Sequence, residues 1–212
     1  MKMRNILLID DHAVVRKGLR SILEEEFNDI QVDETGTGHE GIKLLRKSLP
    51  DAVVLDISLP DMNGLEVLKR IRMDWPSLPV LILSIYGEDQ YGVRMMRCGA
   101  SGYLAKSSAP EHLVIALKKV INGQKYISSK LAERLAYNLN KSTDSLSVEG
   151  LSDREYQVFR LLAAGKTVTE IGTELHLSVK TVSTHRTHIL QKMDMHTNAD
   201  MVSYAQIKGL TD

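Results

Sequence analysis

The segment Asp51-Ala-Val-Val-Leu-Asp56 is the strongest fold signal in the N-terminal part of the chain. Four apolar residues in succession, followed directly by an acid, are typical of a strand that is buried on both faces and ends on a carboxylate. Such strands occur in parallel sheets whose two faces are covered by helices. Asp56, at the carboxyl end of this strand, is therefore the first candidate functional residue.

Short apolar segments alternate with amphipathic segments on both sides of this stretch, from Asn5 to about Gly123. The apolar segments predict strands, and the segments between them carry apolar residues three and four apart, which predicts helices. We therefore expect an α/β fold with a doubly wound five-stranded parallel sheet. The second strand is more polar than the others, as an edge strand would be. The predicted strands begin near Ile6, Ile30, Ala52, Val80 and Gly102.

Helix signals replace the strand pattern after Leu151. Two segments with capping-box spacing, Ser152-Asp-Arg-Glu155 and Thr167-Val-Thr-Glu170, mark the starts of two helices. Ser178 is a candidate cap for a third helix that runs to Met193. Only a short turn separates the second helix from the third, and two helices joined this tightly form a helix-turn-helix. The C-terminal part is thus predicted to be a small all-α domain.

Length and composition divide the chain into two domains. Its 212 residues exceed a typical single domain and are enough for two separate cores. The polar, serine-rich segment from Asn140 to Gly150 favours a linker. We predict a first domain over residues 1–124, a linker with a short helix over 125–148, and the helical domain over 149–212.

Charge, cysteine content and hydropathy restrict the class of protein. The 27 basic and 27 acidic residues cancel, so total charge indicates neither a nucleic-acid partner nor an acidic one. A single cysteine, Cys98, excludes an intramolecular disulfide and fits a reducing compartment. The N-terminus lacks the apolar core of a signal peptide, and no apolar stretch approaches the length of a membrane span. We expect a cytoplasmic protein with no membrane partner.

Charged and hydroxyl residues follow four of the predicted strands. The first strand ends at Asp10-Asp11, the third at Asp56 and the fourth at Ser84, and Lys106 follows the fifth. The carboxyl ends of parallel strands meet at one edge of the sheet, where ligands bind. Clustered carboxylates repel one another unless a divalent cation or a lysine compensates, and their oxygens suit Mg2+. The cluster predicts a magnesium site in which Asp56 attacks phosphorus as a nucleophile.

These strand-end residues resemble a known family, the receiver domain of bacterial two-component response regulators. The resemblance implies a flavodoxin-like fold and phosphoryl transfer from a sensor histidine kinase to Asp56. It covers the order and spacing of Asp10-Asp11, Asp56, Leu59-Pro-Asp-Met-Asn-Gly64, Ser84 and Tyr103-Leu-Ala-Lys106.

The same resemblance implies a role for each residue of the cluster. Asp56 would accept the phosphoryl group, with Lys106 and Ser84 as its catalytic partners. Ser84 would also act with Tyr103 as a switch pair, in which the hydroxyl moves toward the phosphoryl group and the ring turns inward. The expected metal ligands are Asp10, Asp11, Asp56 and the backbone carbonyl of Ile57.

The sequence departs from the receiver pattern beside two of these residues. Receivers usually carry a small residue after the switch hydroxyl, whereas this chain has Ile85. A branched side chain at the mouth of the pocket is expected to restrict the access of phosphodonor and water. Receivers also often have proline after the lysine, whereas this chain has Ser107.

The third helix of the C-terminal domain has one apolar and one polar face. At about 100° per residue, its apolar arc holds Val179, Val182, Ile189, Leu190 and Met193. The opposite face is polar, short-chained and free of acids, so it can enter the major groove of DNA without repelling phosphates. The residues predicted to contact DNA are Lys180, Thr181, Ser183, Thr184, Thr187, His188, Gln191 and Lys192.

The C-terminal domain resembles the LuxR-type DNA-binding domain. A receiver joined to this domain is typical of the NarL/FixJ class of transcription factors. The resemblance implies a regulator that catalyses its own phosphorylation but is not a turnover enzyme. Promoter DNA is the expected partner, a homodimer the expected binding form, and RNA polymerase a further candidate partner. The similarity rests on Leu151-Ser-Asp-Arg-Glu155, Gly165, Glu170-Ile171, Leu177-Ser178, Lys180-Thr-Val182, His185 and Lys192-Met193.

Three other interpretations explain fewer of these residues. A regulator that acts through protein partners without phosphorylation would leave the intact acid cluster unused. An aspartyl-phosphate hydrolase would not need the C-terminal helices, and the spaced acid pair of such phosphatases is absent. The segment Gly36-Thr-Gly-His-Glu-Gly41 matches a dinucleotide fingerprint, but it falls in the second strand-helix unit rather than the first.

Overall fold

A computed structural model of the chain describes residues 5–139, 148–208 and 210. The chain forms two compact units, Met1–Leu139 and Asn140–Asp212. Each unit has its own set of buried apolar residues. Most of the serine-rich segment predicted as a linker lies outside the described residues.

The first unit alternates strands and helices, as the sequence predicts. The strands are β1 (Asn5–Ile9), β2 (Gln31–Thr35), β3 (Ala52–Asp56), β4 (Val80–Ser84) and β5 (Gly102–Ala105). The helices are α1 (Ala13–Glu26), α2 (Gly38–Lys47), α3 (Gly64–Asp74), α4 (Glu88–Arg97), α5 (Ala109–Ile121) and α6 (Ser129–Leu139). A 3₁₀ turn, Lys106–Ser108, leads from β5 to α5.

The five strands form one parallel sheet in the order β2-β1-β3-β4-β5. This confirms the predicted doubly wound sheet and places the polar β2 at an edge. The order is that of a flavodoxin-like fold, in which the winding reverses between β1 and β3. Ligands bind at such a reversal, beyond the carboxyl ends of the strands. The functional site is therefore expected where β1 and β3 end.

Helices on both faces bury the centre of the sheet. Every residue of β3 and β4 is buried. On one face α1 and α5 contribute Leu19, Leu23 and Leu117 to the main core cluster. On the other face α2 and α3 pack closely. A Cβ added to Gly38 of α2 would lie only 2.8 Å from the Val67 side chain of α3. The central strands that carry the functional residues are thus packed on both faces.

Helix α6 packs against α4 of the first unit. Leu131 is 1% exposed and rests on Gly92, where an added Cβ would meet it at 2.8 Å. Just before α6, Tyr126 forms a parallel bridge with Gly102 at the free edge of β5. The Tyr126 carbonyl accepts the N–H of Tyr103 at 2.9 Å. The sequence predicted α6 but not this bridge, because one bridging residue makes no strand pattern.

The second unit is helical, as predicted. Both predicted capping boxes form, at Ser152 with Glu155 and at Thr167 with Glu170. Ser178 caps the third helix by accepting the N–H of Thr181. The helices are α7 (Asp153–Ala163), α8 (Val168–Glu174), α9 (Val179–Lys192) and α10 (Asn198–Ile207).

The turn between α8 and α9 is compact and depends on a glycine. Leu177 N–H donates to the Gly172 carbonyl at 2.8 Å, and a Cβ on Gly172 would lie only 2.8 Å from the Leu177 carbonyl oxygen. The buried contacts of α9 begin at Val182. Val179, in the first turn of the helix, is 46% exposed, so the apolar arc is not buried at that end.

Candidate functional site

The ends of three neighbouring strands carry buried polar residues. Asp10 directly follows β1, Asp56 is the last residue of β3, and Ser84 is the last residue of β4. Their exposed fractions are 3%, 2% and 0%. Lys106, which opens the 3₁₀ turn after β5, reaches back to the two acids. The fold therefore assembles this cluster by strand order alone, as expected for the carboxyl ends of a parallel sheet.

Lys106 is the positive charge of the cluster. Its Nζ lies 2.8 Å from Asp56 Oδ2 and 2.7 Å from Asp10 Oδ2. Burial alone would lower the pKa of Lys106, but the carboxylates of Asp56 and Asp10 outweigh burial and hold this pKa above its usual value. The ammonium therefore stays charged and offsets part of the repulsion between the two acids.

Asp56 combines burial with a strong hydrogen-bond donor. Burial, and after it the Asp10 carboxylate, raise the pKa of Asp56 to about 6, although Lys106 and the Ser58 N–H oppose the rise. The group is thus more basic than an exposed aspartate but still largely ionised at neutral pH. A carboxylate in that state is suited to act as a nucleophile.

The carboxylates at this edge form a set of oxygen ligands. One oxygen each from Asp10, Asp11 and Asp56, with a ring nitrogen of His12, lie within 4.8 Å of one another. Asp10 Oδ2 and Asp11 Oδ1 are buried without a well-formed hydrogen bond, although Lys106 and His12 lie close to them. Carboxylate oxygens clustered in this way are the ligands that a hard divalent cation prefers. The residues therefore fit Mg2+.

The loop after Asp56 is held by its own backbone. Gly64 N–H donates to the Ile57 carbonyl at 2.9 Å. A Cβ on Gly64 would lie 2.2 Å from the Asp56 carbonyl oxygen, so the closure requires glycine. The Ile57 carbonyl, expected as a fourth metal ligand, already accepts this hydrogen bond. Asp61, further along the loop, accepts the N–H groups of Gly38 and His39 and ties the loop to α2.

The two predicted switch residues both bond to the backbone of Tyr86. Ser84 Oγ accepts the Tyr86 N–H at 3.0 Å, and Tyr103 Oη donates to the Tyr86 carbonyl at 2.8 Å. Both side chains are fully buried, so the Tyr103 ring is turned inward. Ile85, between Ser84 and Tyr86, is instead 64% exposed. The hydroxyl and the ring are therefore linked through one peptide segment.

Most residues predicted to contact DNA lie on the outer surface of α9. The exposed ones are Lys180, Ser183, Thr184, Thr187, His188, Gln191 and Lys192. Thr181 is only half-buried, and its Oγ1 lies 2.7 Å from Ser178 Oγ within the helix cap. The hydroxyls of Thr184 and Thr187 donate to carbonyls one turn earlier, at 3.0 and 3.1 Å.

Two of these exposed residues contact α7. Lys192 Nζ donates to Glu155 Oε2 at 2.7 Å, and His188 Nδ1 lies 3.7 Å from Glu155 Oε1. The sequence identified Glu155 as a member of a capping box and of the LuxR-type motif, but not as a partner of α9. Its contact with α9 depends on how two helices pack, and no local sequence pattern reports such packing.

Comparisons with known proteins agree with both parts of the structure. Residues 6–118 match the family described as the response regulator receiver domain, and residues 149–205 match the bacterial regulatory proteins of the luxR family. The chain belongs to the response regulators of the NarL/FixJ class, which join a receiver domain to a LuxR-type DNA-binding domain.

Similar proteins span nearly the whole chain. The response regulator UvrY of Escherichia coli strain K12 is 34% identical over 209 residues, which are 98% of this chain and 96% of UvrY. The oxygen regulatory protein NreC of Staphylococcus haemolyticus is 34% identical over 214 residues, 98% of this chain and 99% of NreC.

A solved structure supports the assignment. RcsB from Salmonella enterica serovar Typhimurium, bound to promoter P1flhDC in the presence of the phosphomimetic BeF3−, is 25% identical with a TM-score of 0.63. The match covers 96% of this chain and 98% of RcsB. The chain is therefore a DNA-binding transcriptional regulator of a two-component system. In the parts that the structure describes, no helix has the length and apolar character needed to cross a bilayer.

Proposed function

We propose that a sensor histidine kinase transfers a phosphoryl group to Asp56 and thereby controls promoter binding in the cytoplasm. One observation carries the proposal: Asp56 lies at the end of a buried strand with Lys106 Nζ 2.8 Å from its Oδ2. Lys106 shares its charge with Asp10 at 2.7 Å. The ammonium balances the carboxylates before transfer and is placed to neutralise a phosphoryl oxygen afterwards.

The transfer requires a nucleophile and charge neutralisation. The Asp56 carboxylate attacks the phosphorus of phosphohistidine, the P–N bond breaks with its electron pair left on the imidazole nitrogen, and an aspartyl phosphate forms. Asp10, Asp11 and Asp56 would hold Mg2+, which supplies neutralisation of the phosphoryl oxygens. The Ile57 carbonyl is the fourth proposed ligand, since an oxygen that accepts the Gly64 N–H keeps a second lone pair.

The switch pair would carry the change away from Asp56. The Ser84 hydroxyl accepts the Tyr86 N–H and can still donate its own proton to a phosphoryl oxygen, so a movement of Ser84 toward that oxygen would act on the Tyr86 backbone. Tyr103 bonds to the other side of Tyr86, so the two side chains respond together. A local charge would in this way bias two packings of the β4–α4 region.

Promoter DNA would be read by the outward face of α9. Its members are polar and exposed, and Lys180 supplies its positive charge. One recognition helix reads few base pairs, so a homodimer on a two-half-site operator is the binding form, with RNA polymerase a candidate partner at the promoter. The proposed face consists of Lys180, Ser183, Thr184, Thr187 and Gln191.

The test is a phosphorylation assay on the full chain. With acetyl phosphate and Mg2+, the wild type should gain the mass of one phosphoryl group, and Asp56→Asn should gain none. Asp33→Asn, on the edge strand β2, is the matched control and should be labelled like the wild type. Labelling that persists in Asp56→Asn would move the site elsewhere and overturn the proposal.

A further inference from the structure

Glu155 is a buried carboxylate in the DNA-binding domain. It is 4% exposed and occupies the first turn of α7. Its Oε2 accepts the Ser152 N–H at 2.7 Å, which completes the capping box. A capping box needs only an acceptor at this position, and glutamine serves as well as glutamate. The negative charge of Glu155 is therefore not explained by the cap.

The charge of Glu155 faces two side chains of α9. Lys192 Nζ lies 2.7 Å from Oε2, and His188 Nδ1 lies 3.7 Å from Oε1. Lys192 is the last residue of α9, and His188 is one turn earlier. The carboxylate thus bonds the start of α7 to the end of α9, with the acid buried and its two partners about half exposed.

Lys192 and His188, which face Glu155, lie on a different side of α9 from its outward face. At about 100° per residue, Lys192 and His188 lie about 40° apart around the helix axis. The centre of the outward face, between Thr187 and Gln191, lies about 100° away from them. A side chain held on Glu155 is therefore turned aside from the surface that would enter the groove.

A second basic residue of α9 also bonds to another helix of the same domain. Arg186 Nε donates to Asn198 Oδ1 of α10 at 2.6 Å. Two of the three bases of α9, Arg186 and Lys192, thus bond to neighbouring helices of the same domain. Lys180 is the third, and it is exposed at the start of the helix.

We propose that Glu155 is a positioning residue for DNA recognition, which fixes the rotation of α9 by holding Lys192 and His188. This inference rests on the proposed use of the outward face of α9. Lys192 then supplies no phosphate contact of its own, although it is exposed and basic. Its loss disturbs the orientation of the base-reading face and leaves a buried carboxylate without its ion pair.

The salt dependence of DNA binding separates a phosphate contact from a positioning contact. A residue that neutralises one phosphate changes the slope of log affinity against log salt by about 0.9. The probe is a duplex that the wild-type full-length chain selects from a random-sequence library, with poly(dI-dC) as nonspecific DNA. Lys180→Gln should flatten the slope by about that amount. Lys192→Gln should leave the slope unchanged but weaken specific binding about tenfold, because a charge-assisted contact is lost.

Glu155→Gln tests the carboxylate directly, because it keeps the cap and removes the charge. It should weaken specific binding about as much as Lys192→Gln, with nonspecific binding unchanged. The Glu155→Gln, Lys192→Gln double variant should bind DNA no more weakly than either single variant, since both substitutions remove the same contact. Glu155→Gln combined with Lys180→Gln is the matched control, and these two effects should add.

A spectroscopic signature accompanies the binding data. Burial lowers the pKa of His185, the charge of Glu155 opposes that effect, and Arg154 and His188 lower the pKa further. Removing the Glu155 charge should therefore move the His185 titration, followed by NMR, to lower pH while the helices remain folded. A substitution that merely loosened the domain would expose His185 and move it the other way.

The measured salt slopes and affinities separate a failure of the role proposed for Glu155 from a failure of the proposed DNA-binding face. If Lys192→Gln flattens the salt slope as much as Lys180→Gln does, Lys192 contacts phosphate and the inference fails while the outward face stands. Additive losses in the Glu155→Gln, Lys192→Gln double variant would also overturn it. If Lys180→Gln leaves the slope unchanged, the proposed DNA-binding face itself is wrong.

Discussion

Lys106 Nζ lies 2.8 Å from Asp56 Oδ2, although β4 separates β5 from β3 in the sheet. This contact joins the proposed phosphorylation site to the 3₁₀ turn that leads into α5. A phosphoryl group on Asp56 would add negative charge at one end of this contact, next to the Lys106 ammonium. The chemistry at Asp56 is thereby connected to the β5–α5 side of the receiver domain.

Lys106→Met should destabilise the receiver domain by about 2 kcal/mol. The substitution leaves two buried carboxylates facing each other, and proton uptake by Asp56 limits the cost. Unfolding by urea can be followed through Trp75, the only tryptophan of the chain, which lies in this domain. Lys118→Met is the control, because the Lys118–Glu26 pair is about half exposed and should contribute less than about 1 kcal/mol. Equal losses in both variants would contradict the role given to Lys106.

Gly64→Ala and Gly18→Ala should have opposite effects on stability. A Cβ on Gly64 would lie 2.2 Å from the Asp56 carbonyl oxygen and 2.7 Å from Ile57 Cα, both backbone atoms, so a loss of about 3 kcal/mol is expected. Gly18 lies within α1 with nothing within 4 Å of an added Cβ. Alanine there should stabilise by about 0.5–1 kcal/mol. The same urea titration measures both, and a tolerated Gly64→Ala would refute the close approach.

Ile85→Ala should speed chemistry at Asp56 without affecting the fold. The Ile85 side chain is 64% exposed, so its truncation should change stability by less than about 0.5 kcal/mol. If it restricts the mouth of the pocket, phosphorylation by acetyl phosphate and subsequent hydrolysis should both become faster. Intact-mass spectrometry over time gives both rates. Rates equal to those of the wild type would remove Ile85 as a gate.

Glu155 should make the stability of the DNA-binding domain depend on pH. Burial raises the pKa of Glu155, but hydrogen bonds from Lys192 and Ser152 outweigh burial, so the pKa lies below its usual value. A carboxyl with a lowered pKa stabilises the fold above the unfolded pKa, and this contribution is lost as pH falls through the folded pKa. At neutral pH the wild type should have a larger free energy of unfolding than Glu155→Gln. This difference, the stability gap, should close below about pH 4.5. Hydrogen exchange of α7 and α9 amides measures the gap, and a gap that widens on acidification would contradict the account.

Sequence patterns identified the strands and helices of this protein because each is specified by residues that are close together in the sequence. The run before Asp56 marked a buried strand, and the spacing of Ser152 with Glu155 and of Thr167 with Glu170 marked helix starts that the structure contains. Strand order then places Asp10 beside Asp56 without further information.

Contacts between elements could not be predicted in the same way. The seating of Leu131 on Gly92 and the bridge from Tyr126 to Gly102 depend on the packing of α6 and the segment before it. The bond between Lys192 and Glu155 joins two helices that are distant in sequence. A helical wheel shows which side of α9 is polar, but not which of its polar residues another helix holds.

The most direct test of the central claim is the affinity of the full-length chain for its selected duplex, with and without phosphorylation. Titrations are made at fixed salt before and after treatment with acetyl phosphate and Mg2+, in the wild type and in Asp56→Asn. Phosphorylation should change the affinity of the wild type at least severalfold and leave that of Asp56→Asn unchanged. Equal affinities before and after stoichiometric phosphorylation of the wild type would contradict control of DNA binding through Asp56.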